Sequence, residues 1–347
     1  MAGQQVTHRM PPEWAQHEAT WLGWPHETTD WPGKFTPIPF LYGEIVRILS
    51  RREKVRLLVP AAHQKRARAV LEKCGAWNSN VRLITAETNR SWTRDYCPLY
   101  VKTKAGEKIA TKWRFNGWAK YPNWKNDDAA GEKAARVSGT AIVKPEWNGR
   151  RVVLEGGSID VNGAGLMLTT EECLLSGVQA RNPGLEREHL EALFEGYLGV
   201  EKVLWLNRGI AGDDTHGHVD DLARFTDERT VAIVVEEDRE EENHEPLAEN
   251  VRLLRKMKGL DGRALRVVEL PMPRPVFFNG QRLPASYANF YIANGVVLVP
   301  VFQDPNDRIA LNILARLFPT RDVIGLYCVD LVLGLGTIHC GTMQEPA

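Results

Sequence analysis

The sequence predicts an α/β fold built as a ring of repeated strand–strand–helix–strand units, and three observations carry that prediction. Apolar, β-rich runs bounded by turn signals alternate with segments whose apolar residues fall at helical spacing. The order of these elements recurs, with units beginning near residues 96, 158, 221 and 289, at steps of 62, 63 and 68 residues. An N-terminal helix–strand segment and a C-terminal apolar run are left over. Together they make a fifth unit, and closing the ring leaves only short, protected sheet edges. The alternative is two mixed-sheet domains meeting at a cleft, but no low-complexity linker divides the chain, so residues 1–347 read as one domain.

Taken in order, the stretch from Pro11 to Pro39 is rich in Trp, Pro and His and reads as loop with one short strand around ATWLGW. Leu41, Ile45, Ile48 and Leu49 mark a helix over 40–50, VRLLVP (55–60) a buried strand, residues 62–73 a helix and VRLIT from 81 a strand. The first full unit has strands over 96–103 and 107–115, a helix over 127–137 and the strand TAIVK (140–144). The second runs SIDVNGAGLMLTT, a helix over 185–197 and KVLWL; the third DLARFTDERTVAIVVE, a helix over 243–258 and LRVVEL. The fourth runs NFYIANGVVLVPVF, a helix over 305–316 and DVIGLY. Asn162-Gly163 and Asn294-Gly295 each stand between two β-rich runs, the dipeptide that a primed two-residue hairpin turn prefers. The stretch DLVLGLGTIHC, ending at Cys340, is apolar and strand-like and is expected to be tied into the core.

Composition narrows the partners. Lys+Arg and Asp+Glu number 44 each, so the formal net charge is zero, which removes the main electrostatic argument for nucleic acid or an anionic membrane. The five cysteines (Cys74, Cys97, Cys173, Cys328, Cys340) show no paired short spacing, and no apolar signal segment opens the sequence, which points to a reducing, cytoplasmic setting. No apolar run approaches the ~20 residues a membrane span needs. Among eleven Trp, Trp24, Trp31, Trp92, Trp118 and Trp124 lie beside Gly, Pro or Asn, where some are placed to line a pocket.

The chemistry-bearing residues sit where the chain enters each unit. Asp95 ends SWTRD, Glu155 opens EGGS, and His218 and Asp220 lie in DDTHGHVDD. In a ring, the same phase of the repeat means the same end, so these residues and Cys340 converge on one mouth. A thiol with a nearby imidazole suits covalent attack on an electrophilic carbon. Carboxylates hinder amide hydrolysis, whose oxyanion needs donors, but grip a guanidinium well. The set therefore defines a small guanidino compound as substrate, with Cys340 attacking the guanidinium carbon and His218 acting as acid and then base. A rival reading takes His216-x-His218-x-Asp220 as metal ligands of a hydrolase, on one face of a strand. A third treats the ring as a binding scaffold without chemistry.

Six stretches together resemble the agmatine deiminase family: WTRD (92–95), WRFNGW (113–118), LEGGSID (154–160), GDDTHGHVDDLARF (212–225), YANFYIANGVVLVPVF (287–302) and GTIHC (336–340). That family lies in the guanidino-group-modifying superfamily with the pentein fold, a five-bladed ring of ββαβ units. The resemblance implies Cys340 as nucleophile, His218 as acid and base, Asp95 and Asp220 as guanidinium ligands, and Glu155 as a residue orienting the histidine or substrate. It further implies Trp92 as a wall of the substrate channel and Asp214 as a group reaching the amine end of agmatine, with Asp213 beside it. No cofactor and no metal belong to the pattern, and a homodimer is what relatives suggest. Bacterial peptidylarginine deiminases share the framework, so peptidylarginine or free arginine is the alternative substrate; Arg90 and Arg94 flank the same loop and could receive a carboxylate. The chain departs from the family at Cys97 in RDYCP, at Trp118-Ala119-Lys120-Tyr121, which lacks a glycine-rich insertion, and at GTMQEP after Cys340, all expected around the channel.

Overall fold

The computed structural model describes residues 8–347. Four sheets repeat one plan, in which two antiparallel strands are followed by a helix and a third strand parallel to the second. The first holds Leu99–Thr103, Lys108–Thr111 and Ala141–Val143 across the helix Lys125–Val137. The second holds Asp160–Val161, Leu166–Thr170 and Lys202–Leu206 across Arg187–Leu198. The third holds Ala223–Phe225, Thr230–Val235 and Arg266–Pro271 across His244–Lys256. The fourth holds Tyr291–Ala293, Val296–Val301 and Asp322–Tyr327 across Asn306–Leu317. In the fifth, Thr342–Pro346 pairs antiparallel with His17–Gly23, which runs parallel to Lys54–Val59 across the helix Ile38–Leu49. Val81–Thr85 adds a further parallel strand across Gln64–Lys73. The two ends of the chain thus complete one sheet, as the five-unit reading required.

Local sequence accounts for the elements. Middle strands such as Thr230–Val235 and Val296–Val301 are buried along almost their whole length, so they read as continuous apolar runs and not as alternation. The helix His244–Lys256 buries Leu247, Val251 and Leu254, spaced by four and three residues, against its sheet. Arg187–Leu198 begins with a reciprocal cap between Glu186 and His189 and ends at Gly199, whose φ of 71° favours a residue without a side chain.

Several local expectations are corrected. Residues 93–96 form one helical turn (Thr93–Tyr96), so the first strand starts only at Leu99. DLVLGLGTIHC is not a strand: Leu331–Gly334 is a 3₁₀ turn, and the last strand begins after Cys340. At Asn162 the expected two-residue turn is a five-residue connection between paired Val161 and Met167, because Asn162 Oδ1 accepts the N–H groups of Ala164 and Leu166. Asn294-Gly295 is a two-residue turn, but only Gly295 has positive φ (69°), so it is not of the primed type. The Asn294 side chain exchanges hydrogen bonds with the His17 backbone instead. Hairpins over 146–151 and 276–283 interrupt the repeat and were not legible in it.

Just before the first strand of successive sheets lie three one-turn segments, Thr93–Tyr96, Gly156–Ser158 and Val219–Asp221. With the approaches to Tyr291 and Thr342 they give every unit one short polar entry. These entries carry the site.

Candidate active site

A cavity of about 390 Å³ opens over these entries, with Asp95, Trp92, Trp118 and Cys340 among its lining residues. Cys340 Sγ lies 3.7 Å from Asp220 Oδ2, and the Asn289 side-chain amide donates to it at 3.1 Å. His218 Nδ1 lies 3.9 Å from both Asp95 Oδ1 and Asp220 Oδ1, and its Nε2 lies 3.6 Å from Glu155 Oε2. Asp95, Glu155, His218, Asp220 and Cys340 are therefore one cluster, all buried. Trp92 lies beside Cys340: a β-carbon added at Gly336 would meet the Trp92 ring at 3.2 Å and Cys340 Sγ at 3.3 Å.

The carboxylates are held in distinct states. Asp95 Oδ1 accepts the Gly157 N–H (3.1 Å) and Oδ2 the Trp118 indole N–H (2.9 Å). Burial still lifts its pKa to about 6, despite the opposing pull of His218. Burial also opposes charge on Asp220, but His339, 2.7 Å away, outweighs it and holds Asp220 below the ordinary carboxylate range. Glu155 is likewise kept low against burial by Arg181, whose Nε lies 3.2 Å from both its oxygens. For His218, burial disfavours the charged ring, yet Asp95 and the adjacent Cys173 and Glu155 prevail and raise its pKa well above normal. Burial, reinforced by Asp220, Asp221 and Asp95, pushes the Cys340 thiol well up. Without substrate, these influences favour the neutral thiol at Cys340 and the protonated ring at His218.

Sequence reasoning missed several partners. Asn289, the fourth unit's entry, accepts from Thr337 and from the His339 N–H through Oδ1, while its amide reaches Asp221 (2.9 Å) and Cys340. His339 bridges Asp220 to Glu13 (2.8 Å), and Glu13 also pairs with Arg94 (3.1 Å) and Arg224 (2.9 Å). Asn289 occupies the phase of the repeat that already singled out Asp95 and Glu155, so a signal existed. Glu13 and Arg181 carried none.

Other expectations shift. Asp213 does not line the cavity; it accepts the backbone N–H groups of Thr215, Gly217 and His218 and so shapes the loop that presents the histidine. Asp214 lines the cavity, but its carboxylate is occupied by Lys120 and by the Tyr121 hydroxyl (2.7 Å). Arg94 turns into the core toward Glu13 and Gln344, whereas Arg90 lines the cavity. Of the departures from the family pattern, only Trp118 and Tyr121 reach the cavity; Cys97 and the residues after Cys340 are absent from its lining. His216 does not join His218 and Asp220 on a strand face: its φ is 64° and its Nε2 lies 3.1 Å from Ser176 Oγ. Among the described residues, two other donor trios do fall within 4.8 Å, Glu155–Cys173–His218 and Asp220–Asp221–Cys340. A cation at the first would have to displace Arg181 from Glu155 and the proton from His218.

Five ββαβ sheets around a buried thiol, imidazole and carboxylates define a pentein-type α/β propeller of the guanidino-group-modifying class. An amidinotransferase, SxtG from Microseira wollei, has the same fold at 11% identity and a TM-score of 0.53. The chain belongs to the Porphyromonas-type peptidyl-arginine deiminase family, whose model matches residues 9–346. Its relatives include the agmatine deiminase of Pseudomonas syringae pv. tomato, 34% identical across 97% of this chain and 95% of the relative. That of Ectopseudomonas mendocina is 33% identical with the same coverage. Among solved structures, the agmatine deiminase of Enterococcus faecalis has a TM-score of 0.90 and 32% identity, covering 100% of this chain and 98% of its own. The C. jejuni agmatine deiminase has a TM-score of 0.86 and 30% identity, over 99% and 98% of the two chains.

Proposed function

We propose that this chain is an agmatine deiminase: it hydrolyses the guanidinium of agmatine to N-carbamoylputrescine and ammonia through a covalent amidino intermediate on Cys340. The observation that carries the proposal is that Cys340 and Asp95, which line the cavity, meet His218 and Asp220 in one buried cluster. Asp95 and Asp220 receive the guanidinium N–H groups; Asp220 Oδ1 is buried without a hydrogen-bond partner, so an acceptor is already in place. The arriving cation favours the thiolate electrostatically, reversing the effect of the carboxylates on the free enzyme, and the thiol proton passes to solvent in the cavity that Cys340 lines. Sγ then bonds to the guanidinium carbon, and the His218 imidazolium gives its proton to the departing nitrogen, which leaves as ammonia. The neutral imidazole next takes a proton from water. The hydroxide adds to the amidino carbon, the C–S bond breaks as the new hydroxyl passes its proton to the departing sulfur, and a urea-type product leaves with the thiol restored. Trp92 walls the channel, and Glu155, fixed by Arg181, orients His218.

A second substrate reading has one observation in its favour: Arg90 lines the cavity and could meet the carboxylate of arginine. Ammonia release measured side by side on agmatine, free arginine and an arginine-containing peptide separates the two. Agmatine should lead by at least about tenfold in kcat/KM; a lead for either other substrate refutes the agmatine assignment. Cys340→Ser should cost on the order of 10³-fold or more, and a chelator should change nothing. Full activity in that variant, or loss with the chelator, would instead support a metal-dependent hydrolase. One domain, a homodimer and a cytoplasmic setting complete the proposal, and sedimentation equilibrium checks the dimer.

A further inference from the structure

The cavity has a carboxylate that the deimination chemistry does not use. Asp30 is among its lining residues, and its Oδ2 is buried with no hydrogen-bond partner. A buried acceptor without a partner is costly, so such a carboxylate in the wall of a pocket marks a place for a donor. The neighbouring acids are occupied, Asp213 by three backbone N–H groups and Asp214 by Lys120 and Tyr121. Arg90 partly offsets the charge on Asp30, but its guanidinium donates to Asn123 Oδ1 (2.9 Å) and lies over the Tyr121 ring, 4.4 Å from its centroid. No ion pair joins it to Asp30 among the described residues.

The position of Asp30 is fixed by its neighbours. It ends a 3₁₀ turn, Thr28–Asp30, capped by the Glu27 side chain on the Thr29 N–H. Trp31 follows, buried, its indole N–H donating to Leu331 O (2.9 Å) and its ring 5.7 Å from that of Trp92. Asp30 is thus anchored to the wall formed by Trp92 and the segment leading to Cys340. Burial lifts its pKa to about 6 against the opposing pull of Arg90, a penalty that a cation bound at the carboxylate would reduce.

We propose that Asp30 receives the terminal ammonium of the substrate and is the residue that selects guanidino compounds ending in a primary amine. This rests on the agmatine reading. The test compares agmatine with n-butylguanidine, which keeps the guanidinium and the four-carbon chain but lacks the amine, in the unaltered protein, Asp30→Asn and Asp30→Glu. The unaltered protein should prefer agmatine. In Asp30→Asn the KM for agmatine should rise about 10- to 100-fold, with kcat and turnover of n-butylguanidine within about threefold, so that the preference collapses; Asp30→Glu should restore part of it. A KM for agmatine that stays within twofold, or an equal loss on both substrates, overturns the role of Asp30 while leaving the agmatine assignment intact. An unaltered protein that does not prefer agmatine refutes the assignment itself, and the role of Asp30 with it.

Discussion

Gly157 lies where the site has no room for a side chain. A β-carbon built there would lie 2.5 Å from His218 Nδ1, 2.9 Å from Asp95 Oδ1 and 3.1 Å from Asp220 Oδ2, whereas ordinary contact begins near 3.4 Å. Its φ is outside the left-handed region, so Gly157→Ala asks nothing unusual of the backbone; the cost falls on the neighbours. Those neighbours cannot yield freely. Asp95 is tied to the Gly157 N–H and the Trp118 indole, and His218 is packed between Asp95 and Glu155. The imidazole would have to retreat by ~1 Å, and a displacement of that size in a catalytic group costs about 10²-fold. We therefore expect kcat/KM for agmatine to fall at least ~100-fold, about 2.7 kcal/mol of lost transition-state stabilisation, while overpacking costs ~1–3 kcal/mol of stability. Ammonia release gives the first quantity and urea unfolding the second. A folded variant with activity within threefold of the unaltered protein would falsify the placement of Gly157 against the reacting groups.

Two further expectations concern the groups around the cluster. In the proposed mechanism the guanidinium needs Asp95 ionised, so kcat/KM should fall as pH drops through about 6, the value to which burial lifts this carboxyl. Trp118→Phe removes a donor to Asp95 and should move that acidic limb to higher pH, with roughly tenfold lower kcat/KM at pH 6 and a smaller deficit at pH 8; an unmoved limb refutes Asp95 as its source. Glu13 is held well below the carboxylate range because Arg224, His339 and Arg94 outweigh its burial. A depressed carboxyl contributes stability above its unfolded pKa and loses it as pH falls through the folded value. Glu13→Gln should therefore cost ~3–5 kcal/mol at pH 7 by leaving buried cations unpaired, with the gap to the unaltered protein narrowing in acid; a pH-independent gap in urea unfolding would count against this.

The sequence by itself determined the five-unit plan and which polar residues cluster at one end of it. Strand and helix periods are local properties, and so are the polar entries that recur ahead of each first strand. Asp95, Glu155, His218 and Asp220 could be read from their common phase, and Cys340 from its setting among glycines. What only the tertiary structure decided is which polar groups are free and which are taken. Asp213, Asp214 and Asp30 are the same chemical group, yet one shapes a loop, one is occupied by Lys120 and Tyr121, and one lines the cavity with a buried oxygen that has no hydrogen-bond partner. Arg90 and Arg94 differ by four positions, yet one lines the cavity and the other pairs with Glu13, 81 residues away. His339 reaches Glu13 across 326 residues and Asp220 across 119. Periodicity fixes the face on which a residue stands, whereas hydrogen-bond partnership depends on what a distant segment brings opposite it, and that is settled only when the last strand, Thr342–Pro346, pairs with His17–Gly23 and the ring closes.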